Sequence, residues 1–288
     1  MAPGLCSPRA PAAIRDFHSL DYKGCPNPLE LEERLSTFES RWATTVADVI
    51  RGEPLRGPLR ESLFEFVGVM RMRVPPAKEF IEKFESSVLR SVAKRLEREG
   101  KAPKLPHPFE DVSIVDHVTF HIANWKLLQS MFDLGLDPEH VRQLSAMTPT
   151  LLRTPAGSAF LTCDQPVALY RPRADLDAAY GIGPAVLGAE LSLPLSSQVT
   201  LLLSHDAQAR ASRDLTVAEV HEFNRRTVIM AGAYVFAGER SEEAAALVAR
   251  YGAQTAGASL DVAETKSGSY FLLRWRPVMP ERNNSRDR

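Results

Sequence analysis

One aspartate in the chain has the setting of a carboxylate held in place. Asp164 follows the apolar run Ala159, Phe160, Leu161 and the pair Thr162, Cys163, and it precedes Pro166, after which the chain leaves again as Val167 to Tyr170. Proline removes a backbone donor, so a strand running into Asp164 ends there. A carboxylate at the end of a buried strand is rigid enough for chemistry. The same group can instead cap its own loop by accepting from amides two residues on, and both readings stand at this point. Three further polar residues are embedded in apolar elements: Glu39 between Phe38 and Trp42, Arg73 at the end of a helical run, and Asn224 beside Val220, Phe223, Val228 and Ala231. With Asp164 they form an acid, acid, base and amide set drawn from four elements. Such a set can chelate a divalent metal through its carboxylates, with Arg73 stabilising an anion. It can equally be an ion-pair network that fixes helices against a sheet. A divalent metal is the one cofactor it suggests, and the sequence identifies none.

Other motifs carry less. His117 and His121 lie four apart in HVTFH, the spacing of a helical metal pair, but no Glu follows the first histidine as a zinc protease requires; surface or structural roles are the stronger reading. GIGPAVLG, residues 181–188, lacks the preceding strand and following helix of a dinucleotide loop and reads as a connection. No phosphate-binding Gly-Lys-Ser/Thr loop, nucleophile elbow or kinase signature occurs. Cys6, Cys25 and Cys163 are odd in number and widely spaced, which suits reduced thiols rather than a disulfide framework.

The elements that must position these residues follow from apolar spacing. Leu31, Leu35, Phe38, Trp42, Val46 and Val49 recur at three- or four-residue steps and predict a helix stopped by Gly52 and Pro54. Leu59 to Met70 predict a second, ended at Pro75 and Pro76; Phe80, Phe84, Val88, Val92 and Leu96 a third, closed by Gly100; Val112 to Met131 a fourth. Asp137 and Pro138 open a short one. After residue 150 the pattern turns extended, with strands at Ala159 to Leu161, Val167 to Tyr170, Leu191 to Leu195 and Val199 to Leu203. Helical spacing returns from Thr216 to Phe236, where Thr216 and Glu219 have capping-box spacing. Ser241 to Tyr251 predict another helix and Tyr270 to Trp275 a last strand.

The chain has 288 residues, 35 basic and 36 acidic, with 44% hydrophobic side chains. That balance describes a globular protein and argues against a general nucleic-acid-binding patch. No apolar run is long enough to span a membrane, and the first residues lack the apolar stretch of a secretory signal, so a cytoplasmic protein is expected. No partner can be identified.

FLTCDQPV, residues 160–167, resembles the Phe-(Ile/Leu)-Thr-Ser-Asp-x-Pro-Val signature of the family known as domain of unknown function 4238. Four more stretches are similar to that family in order: LEERLSTFESRW with Phe38, Glu39 and Ser40; GVMRMRVPPA with Arg73, Val74 and Pro75; ELSLPLSSQVTLLL, residues 190–203; and EVHEFNRRTVIMAGAYVFA with Asn224. Agreement covers residues 29 to about 238. Two departures are seen. No counterpart of the family's upstream His-x-x-Pro-x-x-Tyr-Leu segment is found before Leu29, and the signature serine is Cys163, inherited as a small buried residue. The resemblance implies relatives without implying a reaction.

The expected architecture is α+β: residues 1–28 an irregular lead-in, 29–280 one domain with a helical bundle (29–146) packed on a small, mostly antiparallel sheet with C-terminal helices (150–280), and 281–288 a solvated tail. That sheet is expected to take its strands from 158–204 and 269–276. Phe17 to Tyr22 are expected to pack on the helices with His18 facing solvent. Two functions fit: a hydrolase or nuclease-like enzyme for a phosphorylated or nucleotide substrate centred on Asp164, Glu39, Arg73 and Asn224, or a non-catalytic interaction module, in a stress or defence setting, presenting its helices.

Overall fold

A computed structural model describes residues 27, 30–102, 108, 112–113, 115, 122–172, 183–254, 256–265 and 268–281. His117, His121 and the stretch Phe17 to Tyr22 with His18 lie outside them. Helix α1 (Glu30–Arg51) buries Leu35, Trp42 and Val49, the stripe its spacing predicts, and Trp42 stacks on Phe38 with ring centroids 5.5 Å apart. Helix α2 (Gly57–Met72) follows with Pro58 in its first turn and buries Leu63, Phe64 and Val67.

Pro75 and Pro76 open α3 (Pro75–Arg98) rather than merely ending α2. The first amides of a helix have no helical acceptor, so two prolines there forfeit nothing, and Val74 before them is extended, as proline requires. The predicted stripe of α3 is only half realised. Ala77 and Ile81 are buried, whereas Phe84, Val92 and Leu96 are exposed, Val92 by 50%. The single helix expected from Val112 to Met131 is also corrected: α4 (Asn124–Gly135) starts at Asn124, because Ala123 has ψ 138° and cannot extend the helical ladder backwards. Helix α5 (Pro138–Ser145) starts where predicted, with the Asp137 carboxylate accepting from the His140 amide at 2.9 Å.

The main sheet runs β3 (Ala168–Tyr170), β4 (Glu190–Pro194), β5 (Val199–Ser204), β1 (Thr148–Arg153), β6 (Ser212–Asp214), antiparallel except for the β1 and β6 pair. Its register sets Leu191 opposite Leu203 and Leu193 opposite Leu201, with Leu151 on the far side of Leu201. Side chains alternate across a sheet, so these leucines share one face. They join Val49, Leu63, Phe64, Val67, Leu144 and Met147 from α1, α2 and the end of α5 in one core. On the other face Leu152 packs with Phe160, Leu215, Val220 and Phe223, bringing helix α6 (Val217–Met230) across the sheet. Strand β2 (Thr162–Cys163) pairs with β7 (Val235–Phe236), and helix α7 (Glu242–Tyr251) lies against α6.

The strand predicted at Tyr270 to Trp275 does not join the main sheet. It forms β9 (Gly268–Arg276) of a separate hairpin with β8 (Gly257–Thr265), set against α3. The segment after it returns to the main sheet: Val278 donates to Leu169 O at 2.8 Å and accepts from Arg171 N at 3.0 Å. Tyr251 Oη donates to the exposed Glu281 at 2.8 Å and Arg250 pairs with it; residues 282–288 lie outside the described ones. Among the described residues no helix is long and apolar enough to cross a membrane.

Helices α2 and α4 approach backbone to backbone. A Cβ on Gly68 would lie 2.3 Å from the carbonyl oxygen of Gly135, which cannot swing aside as a flexible side chain could. Gly68→Ala is therefore expected to destabilise the fold by about 1–3 kcal/mol through overpacking. A chemical-denaturation midpoint equal to that of the unmodified protein would refute this.

Candidate functional site

The signature segment is held by side chains in place of neighbouring strands. Asn224, only 4% exposed on α6, accepts from the Leu161 amide at 2.8 Å through Oδ1 and donates to the Ala159 carbonyl at 2.9 Å through Nδ2. A carboxamide presents an acceptor and a donor much as a peptide group does, so it satisfies an extended segment on both counts. The predicted strand at 159–161 consequently exists as an extended stretch, and ladder pairing starts only at Thr162.

Asp164 accepts from three successive amides: Gly232 to Oδ1 at 2.8 Å, and Ala233 and Tyr234 to Oδ2 at 2.7 and 3.3 Å. Its own amide donates to Tyr234 O at 3.2 Å. This corrects the helix predicted to run toward Phe236. Helix α6 stops at Met230, Ala231 turns out with ψ 129°, and the next three amides face the carboxylate instead of carbonyls one turn back. The observed capping is of a distant loop, not of the residues that follow Asp164.

Glu39 and Arg73 meet elsewhere. They form an ion pair between α1 and the residue that caps α2, with side chains 48% and 22% exposed, a setting in which such pairs contribute about 0–1 kcal/mol. The four predicted residues thus form two pairs. Asp164 and Asn224 fix one segment, and Glu39 with Arg73 links two helices. Among the described residues no three His, Cys, Asp or Glu side chains are grouped to hold a metal ion. Cys163 is buried and its thiol donates to Gln165 O at 3.1 Å; burial pushes the thiol up to about 12, which keeps it protonated at neutral pH. Residues 183–188 form turns that lead into β4 rather than into a helix.

A buried charge cluster went unpredicted. Arg225 and Arg226 on α6 are 2% and 6% exposed. Arg225 makes two hydrogen bonds to Glu222, at 2.7 and 2.9 Å, and a third to Met279 O at 2.8 Å. Arg226 reaches Glu222 at 3.1 Å and Glu190 at 2.7 Å while its guanidinium lies 3.4 Å from the Tyr170 ring centroid. Burial pushes the Glu222 carboxyl up, but the hydrogen bond from Arg225 and the charges of both arginines outweigh it and hold the group below the ordinary carboxylate range. The three- and four-residue spacing of Glu222 to Arg225 and Arg226 is visible in sequence; its burial is not.

Two concavities border these elements. The larger, of about 320 Å³, lies beside Asn224 between the 157–161 segment and the start of α7, with Glu239, Ser241, Glu243 and Leu247 in its wall. The smaller, of about 20 Å³, lies where the α2–α3 junction meets Gln165 and Val167 of the signature. Arg71 lines it, and burial lowers that guanidinium to about 10. Burial, and then the charge of Arg71, lower the imidazole of His140 to about 4.

Helices on one face of a mostly antiparallel sheet, α6 on the other, and a signature segment clamped by Asn224 and Asp164 define an α+β protein whose hallmark residues stitch its layers together. The chain belongs to the family described as "Protein of unknown function (DUF4238)", whose sequence model matches residues 2–241. The match begins before Leu29, so it includes the stretch in which no family counterpart was expected. It ends at the start of α7, leaving the hairpin outside. No curated protein and no solved structure matches the chain.

Removing the Asn224 amide orphans the buried Leu161 amide, and removing the Asp164 carboxylate takes away three hydrogen bonds to a charged group. Asp164→Ala and Asn224→Ala should each cost about 1–3 kcal/mol, and Glu39→Gln less than about 1 kcal/mol. Equal losses for all three in urea titrations would contradict the division into two pairs. His140 adds a pH test. Its folded pKa lies below the unfolded value, so the unfolded chain binds more protons between about 6.5 and about 4. Its contribution is complete above about 6.5 and is lost as pH falls toward about 4. Across that window the unmodified protein should lose more stability than His140→Gln; parallel curves would rule out the linkage.

Proposed function

We propose that the protein is a non-catalytic binding module whose ligand site is the cleft beside Asn224. One observation carries this reading: both oxygens of Asp164 are engaged by three backbone amides, so the residue best placed for chemistry is occupied in holding the fold. Asn224 is likewise engaged on both sides of its amide. The hydrolase or nuclease-like alternative, with or without a divalent metal, would require Asp164 to leave those amides and therefore ranks second.

The cleft has the attributes of a ligand site. Its volume of about 320 Å³ falls at the lower end of the range for small-molecule pockets, about 300–1,000 Å³. Phe160, Leu161, Ala244 and Leu247 supply apolar wall, and Glu239, Glu243 and Ser197 supply polar groups. Ser241 caps α7 by accepting from the Ala244 amide at 3.2 Å. Carboxylates above an apolar wall suit a small amine with a hydrocarbon body. The core shared by α1, α2, α5 and the sheet supports residues 29–280 as one domain on this reading. A reducing, cytoplasmic setting suits the free Cys163.

Thermal denaturation with a panel of alkyl diamines, polyamines and neutral sugars tests this. An amine should raise the melting temperature saturably, and the double variant Glu239→Gln, Glu243→Gln should weaken it by about tenfold or more, as loss of a charge-assisted contact does. Hydrolysis of a phosphoester that disappears in a folded Asp164→Asn variant would reverse the ranking in favour of the enzyme.

A further inference from the structure

The cleft beside Asn224 lies where a β-ladder comes apart. Strands β2 and β7 pair with Cys163 opposite Val235 and Thr162 opposite Phe236, and the pairing stops there. In the same register the next pairs would be Leu161 with Ala237, Phe160 with Gly238 and Ala159 with Glu239. All six of these residues line the cleft instead. The backbone bends at Gly238 and Glu239, which carries that segment away from Phe160 and leaves the gap.

We infer that the occupant of this gap is the N-terminus of a peptide, its free amine and first two residues extended between segments 159–161 and 237–239. The inference rests on the reading of the cleft as an amine site and names the amine. On one border the Phe160 amide already donates to Ser197 O at 2.8 Å, and Asn224 satisfies Leu161 and Ala159. On the other, Ala237, Gly238 and Glu239 are exposed, and their backbone groups make no hydrogen bond among the described residues. Amides and carbonyls in that state are a template for another backbone. An alkylamine offers donors alone, whereas a peptide presents both a carbonyl and an amide and answers both kinds of group.

Charge and size select the end of the peptide. Glu239 and Glu243 border the cleft, and no lysine, arginine or histidine is in its described lining. The two carboxylates attract an ammonium group and repel a C-terminal carboxylate. The helix dipole favours an acid in the first turn of α7 and so accounts for Glu243. Glu239 precedes the cap, Ser241, and needs another reason. An extended residue fills about 160 Å³, from a rise of about 3.3 Å, a strand spacing of about 4.8 Å and a layer spacing of about 10 Å. The cleft of about 320 Å³ therefore holds about two residues on that spacing, the end of a chain rather than a strand passing through. Phe160, Leu161, Ala244 and Leu247 in its wall suit small or apolar side chains at those two positions.

The test uses the full chain, calorimetry and four probes: butylamine, the peptide Ala-Val-Ala-Ser-Gly amide with a free N-terminus, its N-acetylated form, and a form N-methylated on the backbone of its second and third residues. The free peptide should bind saturably and about tenfold more tightly than butylamine, as two added hydrogen bonds would give. Acetylation should weaken it by about tenfold or more through loss of the charge-assisted contact, and backbone methylation should return it to the level of butylamine. Altering the ligand keeps these comparisons free of any change in the fold. The double variant Glu239→Gln, Glu243→Gln should weaken the free peptide and butylamine alike. A free peptide no tighter than butylamine, or undiminished by backbone methylation, would overturn the peptide assignment and leave the amine cleft standing. Acetylated peptide binding as tightly as the free form would overturn the N-terminal assignment in favour of an internal strand. Binding of none of the four probes would overturn both this inference and the amine reading on which it rests.

Discussion

Residues 159–164 enter the core at Phe160, Leu161 and Cys163, and only Thr162 and Cys163 have a strand beside them. Buried peptide groups must be paired, and leaving even one of them unpaired costs about 1–3 kcal/mol. Asn224 supplies the pairing on one side and the Ser197 carbonyl accepts from Phe160 on another, while Asp164 fixes the exit by collecting three amides from the loop after α6. The path of α6, the point at which it stops and the pairing of β2 with β7 all depend on these contacts. So does the cleft, since its wall is the same 157–161 segment and Asn224 itself.

A second constraint acts at the opposite edge of α6. Two buried arginines and a partly buried glutamate on one helix would be unfavourable if their charges were not matched. Glu222 answers both arginines, Glu190 answers Arg226 from β4, and the rings of Tyr170 and Phe223 flank the Arg226 guanidinium. Removing one partner from such a cluster costs more than the cluster as a whole contributes, because a charge is left behind in a poorly solvated site. Its structural product is register: Glu190 is the first residue of β4, so the ion pair ties the start of that strand to one turn of α6. The charges are thereby engaged in packing.

The two concavities lie where elements distant in sequence converge, one at the start of α7 and the other at the foot of the hairpin. Their electrostatics are opposite: two glutamates border one and two arginines the other. A chain with a formal net charge of -1 shows none of this in its composition, because net charge sums over patches that fold into separate places.

Much of the local structure was legible in the amino-acid sequence. The spacing of Leu35, Trp42 and Val49, the Asp137 cap, the Thr216 and Glu219 capping box, the Ser241 start of α7 and the alternating residues of β4 and β5 are local signals, complete within one or two turns or one strand. The four candidate residues were singled out as polar groups embedded in apolar elements; Asn224 is buried, whereas the Glu39 side chain is 48% exposed on α1. Their partners were beyond reach. Asn224 bonds residues 63 and 65 positions away, and Asp164 bonds amides 68 to 70 positions away. Nor does spacing tell which apolar stripe is withdrawn from water: Phe84, Val92 and Leu96 repeat as regularly as the buried residues of α1, yet remain exposed. Sequence by itself determined the helices, their caps and the strands with clear alternation, since these depend on backbone geometry and adjacent side chains. Tertiary structure alone decided where α6 ends, that Glu222, Arg225 and Arg226 are withdrawn from water, and which residues share a pocket, because those outcomes depend on desolvation and on partners that only the packed chain brings together.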